Sequence, residues 1–319
     1  MKFTSKFFAL LLLCLVGVLT AQSQEITKSF SGIKKINLST SSGSCKLVKG
    51  SSNDVQVKVS FTYSPNNYHP LMEQDGSTLV LKEDFKNRDS YSGNSSWELS
   101  IPENMEVSFS SGSGSFGAVD LNVKVSFNSG SGDYGCANVR GDSKINTGSG
   151  NVIIAGYQGD LNANTGSGKI SIAGLEGYLR ANAGSGKIGL SKIKGACSVN
   201  VGSGDILATE ITLTGKSSFN TGSGDASVTL AASPTDNISV NSGSNDATLD
   251  FGGNKIEGKV IMTANKKSGR IVAPFEFDKT EEIDDHDNDN LRIRKTVQLG
   301  TKDIEIKIGT GSGTAEIKK

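Results

Sequence analysis

The tripeptide Gly-Ser-Gly recurs with its first glycine at Gly112, Gly130, Gly148, Gly166, Gly184 and Gly202, five successive intervals of 18 residues. The next copy, at Gly222, follows after 20 residues, and a decayed one, at Gly243, after 21. Self-similarity at a short fixed period is the mark of a repeat architecture. Two residues before each tripeptide stands an asparagine: Asn128, Asn146, Asn164, Asn182, Asn200, Asn220 and Asn241. An apolar residue precedes each of them, from Phe127 and Ile145 to Phe219 and Val240. After the tripeptide, apolar positions recur at every second residue, as in Val152 and Ile154, or Ile170 and Ile172. Period two is a strand signal, and no stretch carries the 3.6 period of a helix. One 18-residue coil has too little apolar surface to fold, so coils must stack and bury one another's apolar columns.

The expected fold is all-β: a single-domain β-solenoid of about 18-residue coils, similar in kind to a parallel β-helix. About nine coils between residues 106 and 277, at ~4.8 Å each, make a rod of about 45 Å. Gly130, Gly148, Gly166, Gly184, Gly202 and Gly222 are read as corner glycines, because glycine accepts the positive φ of a sharp corner. The asparagine column is read as a structural ladder, since stacked amides hydrogen-bond from coil to coil.

Residues 1–23 read as a secretory signal peptide. Lys2 and Lys6 precede the apolar run 7–19, and small residues follow, with cleavage expected after Ala21 or Ser23. Residues 24–105 read as capping coils, with 66–76 and 85–96 as long loops, and 106–277 as the regular repeats. The acidic stretch 278–290 reads as a solvated loop, and 291–319 as closing strands. No second apolar run of membrane-spanning length follows, so the mature chain is expected to be free of membrane spans.

The whole chain carries 33 basic and 33 acidic residues. That balance gives no excess of cations for nucleic acid. The mature chain would keep Cys45, Cys136 and Cys197. Cys136 and Cys197 lie roughly 19 Å apart along such a stack, beyond disulfide reach, and are expected to be buried thiols. Only His69 and His286 are present, both outside the repeats. Asp205 and Asp225 stack as a carboxylate pair, and acids on adjacent coils at a corner suit solvent better than glycoside chemistry. The position after the tripeptide runs Asp133, Asn151, Lys169, Lys187, Asp205. The lysines argue against a calcium ladder. Arg140-Gly141-Asp142 is explained by the column of coil-closing glycines to which Gly141 belongs. No catalytic residue, metal ligand or cofactor is expected.

The repeats 146–154 and 164–172, with the opening Phe30-Ser-Gly-Ile-Lys-Lys-Ile-Asn-Leu38, resemble the bacterial putative-adhesin family, a domain of unknown function related to the auto-transporter adhesin head domains called head GIN. The resemblance covers nearly all of the mature chain. It implies an exported, non-enzymatic envelope protein of the periplasm or outer cell surface, with adhesion to a glycan, envelope polymer or protein as its role. The alternative is a periplasmic scaffold or envelope-stress accessory. A carbohydrate-active β-helix enzyme is the remaining reading.

Overall fold

The structure, a computed structural model, describes residues 23–86, 92–285 and 290–319. The signal-peptide reading of 1–23 falls almost wholly outside the described residues. All regular structure among them is strand. The register is the one an 18-residue coil demands. Ile145 pairs with Phe127 on one side and Ala163 on the other, and Ile154 with Cys136 and Ile172, all in parallel.

Each coil gives one strand to each of two facing sheets. The shorter strands, such as Leu161–Thr165 and Leu179–Ala183, build what we call the amide sheet. The longer ones, such as Val152–Gln158 and Ile188–Gly195, build the bulged sheet. One long strand, Phe116–Ser129, passes from the bulged sheet into the amide sheet. Inward residues of both sheets form one continuous core, with Phe109, Phe127, Tyr134 and Phe219 among its largest members.

The tripeptide glycines are needed for a different reason from the one the sequence suggests. None of Gly130, Gly148, Gly166, Gly184, Gly202 or Gly222 has positive φ. A Cβ on any of them would lie 2.4–2.6 Å from the carbonyl oxygen of the equivalent glycine one coil back. At the second glycine the approach is closer: a Cβ on Gly168 would sit 1.8 Å from Gly150 O. Corners stack backbone on backbone, and a side chain has no room. Positive φ belongs instead to the coil-closing Gly141, Gly159, Gly177 and Gly195.

A second left-handed column was not expected. Asp120, Asn138, Gly156, Gly174, Lys192 and Glu210 all have φ between 53° and 76°. At Asn138 the ladder skips a residue, passing from Ala137–Ala155 to Val139–Tyr157. Each of these six coils therefore carries a kink at the same place.

Both ends depart from simple chain order. The coil Lys35–Thr40 plus Ser44–Lys49 lies between Thr78–Phe85 with Ser95–Ile101 on one side, and Met105–Ser111 with the start of Phe116–Ser129 on the other. At the far end, Glu305–Thr310 and Thr314–Lys318 insert between the coils of Ile238–Asp250 and Gly258–Val272. Stretches expected as loops are strands. Tyr68–Asp75 pairs antiparallel with Thr78–Phe85, and Pro70 is tolerated because this is an edge strand. The acidic segment also forms a strand, Lys279–Asp285, antiparallel to Asn290–Leu299. Glu281 there faces Arg294, so cross-strand charge pairing organises residues that look like a solvated run. These antiparallel strands cover the open ends of the stack. At the N-terminal end the corner column is closed by buried Glu83, which accepts hydrogen bonds from Ser41 N at 2.6 Å and from the Ser95 hydroxyl.

Candidate binding face on the amide sheet

In the amide sheet, alternate residues point in and out. Along Leu161–Thr165, Leu161, Ala163 and Thr165 are buried, while Asn162 and Asn164 face outward. The asparagine column therefore runs up the outside. Its amides form an unbroken chain: Asn146 Nδ2 donates to Asn128 Oδ1 at 2.9 Å, Asn164 to Asn146 at 2.9 Å, and Asn182 to Asn164 at 2.7 Å. Asn200 continues it to Asn182 at 3.1 Å, Asn220 to Asn200 at 3.1 Å, and Asn241 to Asn220 at 2.9 Å. Asn164 spends its second N–H on Asn162 Oδ1 at 3.0 Å, while an inner amide bonded only within the ladder keeps one N–H and one lone pair for a further partner.

The column flanks a shallow groove of about 750 Å³, lined by Ser39, Ser110, Asn128, Asn146, Asn164 and the corner backbone. Its floor is held by residues the sequence pattern did not single out. Thr165 Oγ1 accepts from Gly168 N at 2.9 Å and donates to Gly150 O at 3.0 Å. Thr147 and Thr221 do the same for their corners. The signal was a Ser or Thr immediately before most tripeptides, broken at Ala183 and Val201.

A second groove of about 600 Å³ opens on the other edge of the same face. Lys124, Lys144 and Arg180 meet Asp142 and Asp160 there, beside Tyr178. Tyr178 is 40% exposed, a large aromatic ring among polar and charged side chains. Its backbone N–H is held by Asp160 Oδ1 at 3.3 Å. The sequence offered a signal for it: Tyr178 occupies the corner position taken by Asp142 and Asp160 in the preceding coils.

The column after the tripeptide is an internal cap. Asp133 Oδ1 accepts from Asn151 N at 2.6 Å, and Asp205 Oδ1 from Asp225 N at 3.2 Å. Lys187 Nζ lies 2.6 Å from Asp205, and that hydrogen bond holds the Asp205 carboxyl below the usual aspartate range. Cys45, Cys136 and Cys197 are free and buried. Among the described residues, no cluster of His, Cys, Asp and Glu is arranged to hold a metal ion.

A family model described as Toastrack DUF4097 matches residues 33–273, about three quarters of the chain. The chain belongs to the Toastrack DUF4097 family. No curated protein matches this Toastrack chain. Among solved structures it is similar to a putative lipid binding protein from Parabacteroides distasonis, at 16% identity over 94% of this chain and 97% of that one, with a TM-score of 0.44. A putative adhesin from the same organism aligns at 17% identity over 72% and 90%, with a TM-score of 0.38. A putative cell adhesion protein from Clostridium sporogenes aligns at 16% identity over 93% and 99%, with a TM-score of 0.25.

Proposed function

We propose that this Toastrack protein is an exported, non-enzymatic binding module of the bacterial envelope. Its amide-sheet face takes an extended polar polymer, a glycan by preference. The observation that carries the reading is the combination on one face of a seven-asparagine ladder with Tyr178 and Arg180 beside it. Amides offer paired donors and acceptors to hydroxyls, and an exposed aromatic ring offers a platform to the apolar side of a sugar ring. The amides are already fixed by one another, so little side-chain freedom is lost on binding. Affinity then comes from many weak contacts repeated at the coil spacing. The ordered hydroxyls serve the corners, and the thiols are buried, which supports a role without covalent chemistry.

Adhesion requires display at the outer surface. The test is protease digestion of the protein on intact cells, with lysed cells as control. Digestion on intact cells is expected. Protection until lysis would overturn the adhesive role and leave the scaffold reading.

A further inference from the structure

The outer side of the bulged sheet is unlike the amide face. Its central column, in register, runs Ile153, Ser171, Gly189, Leu207, Ser227. Leu207 is 56% exposed, the most exposed large apolar residue among those described. Gly189, its neighbour one coil back, has ordinary backbone φ, and a Cβ there would meet nothing within 4 Å. The fold of one chain does not require glycine at that place, and strand glycines weaken a strand unless another backbone or ligand comes close.

Charge follows the same division. At the corner edge of this face Lys169 and Lys187 are followed by Asp205 and Asp225. At the kink, left-handed Lys192 is followed one coil later by left-handed Glu210. In these stretches of the two columns cations lie on one side of the line between the Gly189 and Leu207 strands and anions on the other, with Lys187 and Asp205 already paired across it at 2.6 Å. Glu176, paired with Lys194, is an anion on the cation side.

We infer that this face binds a second copy of the chain about a two-fold axis parallel to the strands, midway between the Gly189 and Leu207 strands. A two-fold in the plane of the contact reverses the coil order and returns each column to itself, as an isologous interface requires. Leu207 of each protomer then enters the space above Gly189 of its partner. The Lys187–Asp205 ion pair of each protomer lies against the partner's pair in reversed order, Lys169 meets Asp225 and Lys192 meets Glu210, each contact made twice. Ser171 faces Ser227 across the axis. Strands about 20 Å long over about eight coils give on the order of 800 Å² per protomer, the size of a standard stable interface. Both amide faces remain open on the outer sides of such a dimer, so it would present two binding faces.

The test is sedimentation equilibrium of the purified mature chain over a concentration series. The wild type is expected at twice the monomer mass at the upper end. Gly189→Leu fills the space that the partner's Leu207 would enter, with its Cβ clear of its own chain, and is expected to weaken association at least tenfold, about 1.4 kcal/mol, with a melting temperature of the monomer no lower than wild type. The double variant Ser171→Cys/Ser227→Cys provides a second readout. Within one chain the two positions are three coils apart, roughly 14 Å, too far for a disulfide. Across the proposed axis they face each other, so mild oxidation is expected to yield a covalent dimer that neither single variant gives. A wild type that stays monomeric throughout, a Gly189→Leu variant that associates as tightly as wild type, or an oxidised double variant without covalent dimer would overturn the proposal.

Discussion

Thr165 shows how much of this fold is decided one atom at a time. Its hydroxyl joins the N–H of Gly168 to the carbonyl of Gly150, both at a corner where Cβ atoms are excluded. Thr165→Val leaves both groups without that partner and is expected to cost about 1–3 kcal/mol by urea denaturation. Ala183→Thr supplies the missing hydroxyl one coil on, and a gain of about 1 kcal/mol is expected in the same assay. Gly168→Ala forces a methyl against Gly150 O and should cost more than about 3 kcal/mol. Exposed Ser167, in the same tripeptide, should tolerate alanine. The glycine column was plain in the sequence, but its cause was not. Spacing shows that a side chain is excluded, while only the stacked carbonyls show by what.

At the scale of the strand, apolar alternation was enough to place the core columns, and Cys136 and Cys197 fall in them. Burial pushes both thiols up to about 12 and raises the Cys45 thiol as well. Tyr134 and Tyr157 are raised chiefly by the same desolvation. The unfolded chain therefore gives up these protons at lower pH than the folded one. The stability they contribute is whole at neutral pH and is lost as pH rises from about 9 toward the folded values. A fall of about 1.4 kcal/mol per pH unit for each titrating group is expected above that point, measured by denaturation at pH 8, 9 and 10. A thiol reagent at neutral pH should label none of the three until denaturant is added. The column of kinks was not legible. Asp120, Asn138, Gly156, Lys192 and Glu210 share a backbone conformation but no side-chain chemistry, so no column of like residues marks it. The strand at 279–285 was missed for a related reason. Its charges read as a solvated run until Arg294 and Lys295 are placed opposite them.

For the whole molecule, repetition showed that coils stack but not in what order. The coil Glu305–Lys318 is last in the chain and next to last in the stack. A chain ending at residue 290 would lose an inner layer, so loss of the cooperative melt and aggregation on size exclusion are expected, where removal of a free end would leave a soluble, cooperatively melting chain. The insertion had no local signal, because residues 305–318 carry the same alternation that an outermost coil would. Tyr178 and the asparagines were each visible as letters, but their meeting on one outward face depended on the fold of the coil. That face is the centre of the account. Its most direct test is co-sedimentation of the purified mature protein with insoluble peptidoglycan, chitin and cellulose, each as a separate probe. The wild type and the Gly189→Leu variant are expected to sediment with at least one of them. Asn164→Leu/Tyr178→Ala, altered only on the outer face, is expected to bind that polymer at least tenfold more weakly, a difference of about 1.4 kcal/mol. Equal binding by that variant, or no binding of the wild type to any of the three, would contradict the assignment of the amide face as the working surface.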